Sequence, residues 1–192
     1  MMRRNKHTIK MVLAGLIAAA TLSGCATYKP VDNAFYEELK KPYTLDAGDR
    51  MRITVFGQQD LTNTYSVDKS GYIAFPLIGS VLARGRTPKQ VEANIAKKLR
   101  SGFLRDPDVS TQIDLYRPFF IMGEVNTGGQ YTYVPGMTVQ NAVAIAGGFS
   151  PRAEQANSDV TRQVNGNVMT GRVRISDPIL PGDTIYIRER LF

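Results

Sequence analysis

The chain has one cysteine and one histidine in 192 residues, at Cys25 and His7. Arg3, Arg4, Lys6 and Lys10 stand ahead of an apolar run over 11–22, which is too short to span a bilayer as a mature helix and is patterned as a secretory signal. Cleavage of that signal removes His7 and leaves Cys25 at the new N-terminus. What remains cannot build a Ser-His-Asp triad, a Cys-His pair, a zinc site of the usual nitrogen and sulfur type, or a disulfide. Carboxylate-only hydrolysis needs just two acids, but the acids here sit in structural contexts. Asp49 and Asp183 each follow a glycine, Asp68 opens a turn, and Asp106 and Asp108 flank Pro107. The sequence therefore points away from an enzyme, and it calls for no cofactor and no metal.

Long apolar runs are also missing beyond the signal. The longest, 77–83 and 139–146, read as a strand region and a core helix. Only residues 189–192 follow the last predicted strand, whereas a spanning helix needs about twenty residues. The expectation is a protein that does not cross a membrane by itself. Positive charge is scarcer than it looks: the formal net charge of +7 includes the four signal cations, and without them Lys+Arg stands at 20 against 17 Asp+Glu. A surplus of about +3 with no Lys/Arg cluster argues against nucleic-acid binding.

What is present is period-two patterning, turn chemistry and two capped helices. Residues 26–42 hold two prolines and a weak apolar pattern around Phe35, Tyr36 and Leu39, and read as a tether. From Tyr43 onward, Met51, Ile53 and Val55 alternate with Arg50, Arg52 and Thr54, the mark of a half-buried strand. Tyr65 and Val67 repeat the pattern, Asp68 to Gly71 predicts a hairpin turn into 72–75, and Pro76 ends that strand. Arg84 and Arg86 beside Gly85 read as solvated. Thr87-Pro88-Lys89-Gln90 is a helix start with a threonine cap, proline in the first turn and a glutamine placed for a capping box. Val91, Ile95 and Leu99 then form one stripe to about Arg100. Val109, Thr111, Ile113 and Leu115 predict another alternating strand, and Tyr116-Arg117-Pro118 predicts the joint between two modules.

The stretch 119–153 is a second compact unit. It reads as a strand over 119–123, a turn, a short strand over 130–134, the turn Pro135-Gly136, a helix over 139–146 capped by Thr138, and a left-handed stop at Gly147-Gly148. Tyr131, Tyr133 and Phe149 are possible stacking faces, but aromatics at strand spacing are more often core. Asn165-Gly166 predicts a tight hairpin between strands over 158–164 and 168–175. Leu180-Pro181-Gly182-Asp183, ahead of the last strand at 184–188, echoes Leu45-Asp46-Ala47-Gly48-Asp49 and is read as a recurrent turn, not a duplicated domain.

Several of these residues carry a family resemblance. Gly123-Glu124-Val125, Gly129-Gln130-Tyr131 and the run from Pro135-Gly136-Met137-Thr138 to Gly147-Gly148 are similar to the soluble-ligand-binding β-grasp (SLBB) module, with Gly128 where that family usually has proline. Tyr43, Gly48-Asp49, Gly71-Tyr72-Ile73, Pro76, Gly79 and Asp106-Pro107 resemble the export domain of Wza-type polysaccharide export lipoproteins. Leu22-Ser23-Gly24-Cys25 resembles a bacterial lipobox. The resemblance implies an α+β chain: a signal over 1–24, a tether over 25–42, an export domain over 43–117 with a small mixed sheet and one helix, and a β-grasp module over 118–192. Its structural motif residues are Gly48, Asp49, Gly71, Pro76, Gly123, Gly129, Tyr131, Gly136, Thr138, Gly147, Gly148, Gly182 and Asp183. Tyr116, Arg117 and Pro118 form the hinge, and Cys25 is acylated. It further implies an outer-membrane lipid anchor facing the periplasm and a homo-oligomeric ring that guides capsule or exopolysaccharide outward. The implied partners are the exported polymer, an inner-membrane copolymerase and a separate outer-membrane barrel. A monomeric periplasmic lipoprotein that binds a glycan or small ligand is the alternative.

Overall fold

A computed structural model describes residues 33–164 and 166–190. The signal, Cys25, Asn165 and Phe192 lie outside these residues. The elements run α1 (Asn33–Lys40), β1 (Arg50–Val55), a 3-10 turn (Gln59–Leu61), β2 (Asn63–Ser66), β3 (Tyr72–Phe75), β4 (Gly79–Leu82), α2 (Pro88–Arg100), β5 (Val109–Leu115), β6 (Phe119–Gly123), β7 (Gly129–Tyr131), α3 (Val139–Ile145), β8 (Asn157–Val164), β9 (Asn167–Arg174) and β10 (Thr184–Ile187). The fold is α+β, with two hydrophobic cores.

In the first module the antiparallel order is β2-β1-β5. Met51, Ile53 and Val55 bury one face of β1 against Val91, Ile95 and Leu99 of α2, as their spacing requires. The capping box at Thr87 forms in full, with Gln90 N–H on the threonine hydroxyl and the glutamine side chain returning to the cap. The predicted hairpin differs: β2 pairs with β1, and β3 pairs with β4 as a separate two-stranded ribbon. The turn at 68–71 still forms, through Gly71 N–H on Asp68 O at 3.0 Å, but it joins two sheets. Leu115 departs from its predicted parity as well. The β1–β5 register slips between Arg50 and Met51, so Leu115 lies opposite the exposed Arg50 and is itself exposed.

The second module is a five-stranded sheet, β7-β6-β10-β8-β9, in which β6 and β10 run parallel at the centre and all other pairs are antiparallel. Phe119, Ile121, Ile185 and Ile187 form its inner face, packed in one core with Val139, Ala142 and Val143 of α3. The strand predicted over 130–134 is shorter and shifted, Gly129–Tyr131, because Val134 turns into the Pro135-Gly136 bend and its carbonyl accepts from Met137 N–H. Gly123 closes β6 at φ +89°, and a Cβ there would lie 2.1 Å from Ile187 O.

The expected tether also differs over its described part. Residues 33–40 form α1, whose Phe35 is buried in the core of the second module. The chain thus touches the second module first, crosses to build the first, and returns through 116–118.

Candidate functional site

The residues predicted as hinge and Gly-Asp motifs converge on the junction between the modules. Asp49 is wholly buried. Its Oδ2 accepts from Asp46 N–H at 2.8 Å and from the Tyr43 hydroxyl at 2.6 Å, which closes its own turn. Its Oδ1 accepts the backbone N–H of Arg117 at 2.8 Å, and Arg117 Nη1 reaches Oδ2 at 3.1 Å and the Tyr43 hydroxyl at 2.7 Å. One carboxylate therefore fastens the start of β1 to the chain entering the second module. Such charge-assisted bonds are stronger than neutral ones, and here the carboxylate end of each sits out of water.

The second Gly-Asp turn repeats this chemistry. Leu180 N–H donates to Asp183 Oδ2 at 2.8 Å, as Asp46 does to Asp49, so the structural equivalent of Leu45 is the buried Ile179 and the echo is one residue out of step with the leucines. Asp183 holds Arg162 through both ends of its guanidinium, Nε at 2.9 Å and Nη2 at 2.6 Å. The third nitrogen, Nη1, donates to Phe35 O at 3.1 Å, and the guanidinium lies 4.2 Å over the Phe35 ring. With Tyr36 OH on Asp177 Oδ2 at 2.9 Å, this docks α1.

Arg117 passes between the two turns. A Cβ on Gly182 would lie 2.8 Å from Arg117 Nε, and one on Gly48 would lie 3.5 Å from Arg117 Cβ. Gly182 N–H donates to Pro118 O at 3.1 Å. Edge-to-face contacts carry an aromatic chain across the joint, Tyr43 to Tyr116 at 5.0 Å and Tyr116 to Tyr133 at 5.6 Å. Burial pushes the Tyr43 phenol far above its ordinary range, more than the opposing Arg117 charge lowers it, with the Asp49 carboxylate adding to the rise. It remains a neutral donor. Tyr116 and Tyr133 are raised mainly by burial too.

A cleft of about 790 Å³ opens beside this junction, with Lys41, Tyr43, Arg84, Arg117 and Pro181 among its lining residues. Its cations are committed: Lys41 pairs with Glu38, Arg84 with Asp46, Arg117 with Asp49 and Arg162 with Asp183. Arg84 and Arg86 are both exposed, as expected, and Arg84 is also held in place, since Nη2 donates to Lys69 O at 2.8 Å. The Asp49 carboxylate at its edge accepts from Asp46, Tyr43 and Arg117, and so ties the two modules together beside the cleft. No group of three or more metal-ligating side chains occurs among the described residues.

The other motif residues serve local geometry. Gly71 packs so close to Arg84 that a Cβ would meet the arginine's Cβ at 2.5 Å. Pro76 opens the β3–β4 tip, Gly129 and Tyr131 lie on β7, Gly136 takes a left-handed turn, Thr138 caps α3, and Gly147 and Gly148 stop it. Tyr131, Tyr133 and Phe149 all pack on the core. The exposed aromatics of the second sheet are instead Phe120 and Tyr186 on its outer face. Sequence reading missed Arg162 and Phe35 as partners. The signal was there for Arg162, a charge at the buried parity of a strand that alternates Ser158, Val160, Arg162.

The polysaccharide biosynthesis/export protein family matches residues 37–114, and the SLBB domain matches residues 118–173. The chain is 30% identical over 173 residues to the exopolysaccharide production protein ExoF of Rhizobium meliloti (strain 1021), covering 78% of this chain and 41% of that protein. It is 25% identical over 160 residues to the polysialic acid transport protein KpsD of Escherichia coli, covering 77% of this chain and 28% of that one. The chain thus spans well under half the length of these relatives, whose names are those of production and transport proteins. The junction falls between the two matched domains, so the chain carries a polysaccharide biosynthesis/export domain followed by an SLBB domain.

Proposed function

We propose that the protein is a lipid-anchored periplasmic component of a capsule or exopolysaccharide export machine. In this reading Cys25 carries the acyl chains that hold the protein at the outer membrane. Copies assemble into a ring that receives polymer from an inner-membrane copolymerase and passes it to a separate outer-membrane barrel. The single observation that carries the reading is the junction: an export domain and an SLBB domain are locked at one angle by Asp49, Arg117 and Tyr43. A fixed angle is what a closed ring requires of each subunit, because small errors in orientation accumulate around it. The names of the relatives support the polymer as cargo. No described helix is long and apolar enough to cross a membrane.

The test is a deletion strain. Surface polymer should disappear while synthesis of the lipid-linked repeat unit continues, and Cys25→Ser should move the protein out of the outer-membrane pellet. Normal surface polymer in the deletion, with no second gene copy, would refute the reading. The 790 Å³ cleft favours one other reading, a monomeric lipoprotein that binds a glycan or small ligand there. Native mass separates the two: a large closed oligomer supports the conduit, a monomer the binder.

A further inference from the structure

Leu77 is the only non-glycine residue at positive φ among the described residues, at +67°. Ile78 N–H donates to Pro76 O at 2.8 Å across it, which makes Pro76-Leu77-Ile78 a γ-turn of the strained, left-handed kind at the tip of the β3–β4 ribbon. Glycine takes this conformation without penalty, whereas a leucine does not. The strain holds an apolar side chain out into solvent, 58% exposed. Strained backbone of this kind clusters at ligand clamps and contact sites, and here it presents an unpacked apolar side chain.

The same module has a recess that Leu77 does not line. Its volume is about 360 Å³, and Thr54, Val55, Phe56, Gly57, Gln58 and Thr62 are among its walls. Phe56 is 60% exposed beside it. The Thr62 hydroxyl braces the recess through Val55 N–H at 3.0 Å and Gln58 O at 3.1 Å, so it is a preformed feature. Charge around the two features is complementary. Lys98, free of ion pairs among the described residues, sits beside the ribbon with Nζ on Ser80 O at 2.7 Å. Asp60 and Asp108, also without ion-pair partners there, flank the recess, Asp60 next to its wall residue Gln59 and Asp108 with its carbonyl on Phe56 N–H at 2.9 Å.

We propose that Leu77 of one copy seats in the Thr54–Thr62 recess of a second copy, with Lys98 of the first facing Asp60 and Asp108 of the second. A knob and a matching recess on one chain allow each copy to bind the next. The contact rests on the ring reading above and names a place where subunits would meet.

The experiment uses the full chain with Cys25→Ser, which leaves no native thiol. Leu77→Cys and Gln58→Cys together, under mild oxidation, should give covalent dimers and higher multimers, whereas either cysteine alone should give no ladder. In parallel, Leu77→Gly relieves the positive φ, so its thermal midpoint should hold or rise while self-association in sedimentation weakens by about tenfold or more. A parent oligomer whose size is unchanged by Leu77→Gly, with no ladder from the paired cysteines, overturns the contact and leaves the ring standing. A parent that stays monomeric at every concentration overturns both.

Discussion

Replacing Arg117 by alanine should loosen the whole molecule more than any exposed arginine would. The change removes the guanidinium bonds to Asp49 and to the Tyr43 hydroxyl, while the backbone N–H of residue 117, Asp46 N–H and the Tyr43 hydroxyl can still donate to the carboxylate. Stripping the cation from a buried ion pair typically costs about 3–5 kcal/mol. The Asp49 side chain is at 0% exposure and that of Arg117 at 21%, and three donors remain, so the low end applies, about 3 kcal/mol. For a chain of this size that is a fall of roughly 6–12 °C in thermal midpoint. Arg117→Lys keeps the charge but loses the planar fork, and should fall between. The chain contains no tryptophan, so near-ultraviolet dichroism at wavelengths beyond the phenylalanine bands reports the tyrosines, and the Tyr43–Tyr116–Tyr133 chain should lose signal with the joint. A midpoint within 2 °C of the parent, about 1 kcal/mol or less, with the tyrosine signal intact, would refute the claim that Arg117 locks the modules.

Phe35→Ala should undock α1, costing about 3–5 kcal/mol for a buried aromatic and making the segment after Lys40 sensitive to limited proteolysis. An unchanged cleavage pattern would mean that α1 is held by other contacts. Gly123→Ala should fail to accumulate as folded protein, because its Cβ would sit 2.1 Å from Ile187 O at a φ that L-residues avoid; a soluble, cooperatively melting variant counts against the described β6–β10 register. Acid should weaken the fold through Asp46, Glu92 and Glu154. Burial raises each carboxyl, but hydrogen bonds and adjacent cations outweigh it and hold each below its usual range. A depressed folded pKa contributes stability that is complete above the unfolded value and lost as pH falls through the folded one, so denaturant midpoints should stay level above about pH 5 and decline below about pH 4.

Most of the local structure was written in the chain. The capping box at Thr87, the threonine cap at Thr138, the stripe Val91-Ile95-Leu99 and the alternation of β1 depend on neighbours within a few residues, so period and cap chemistry determine them. Residues 116–118 read in the sequence as a proline-bearing link, and in the structure they run between β5 and β6. The rest was decided by contacts distant in sequence. Phe35 looked like part of a tether because Arg162 lies 127 residues further on and the core it joins begins only at Phe119. Arg162 stands at the buried parity of β8, but the groups that pair with it there, Asp183 and Phe35, come from other elements. Asp49 read as a turn residue, and it is one, but its second role as the acceptor for Arg117 exists only once the chain has returned from β5. The register slip that exposes Leu115 and the pairing of β3 with β4 rather than β2 are likewise choices between strands of similar pattern. Short-range sequence sets which faces are apolar and where helices begin; which faces meet, and which buried charge finds its partner, is settled by packing and by the cost of leaving a carboxylate or guanidinium unpaired away from water.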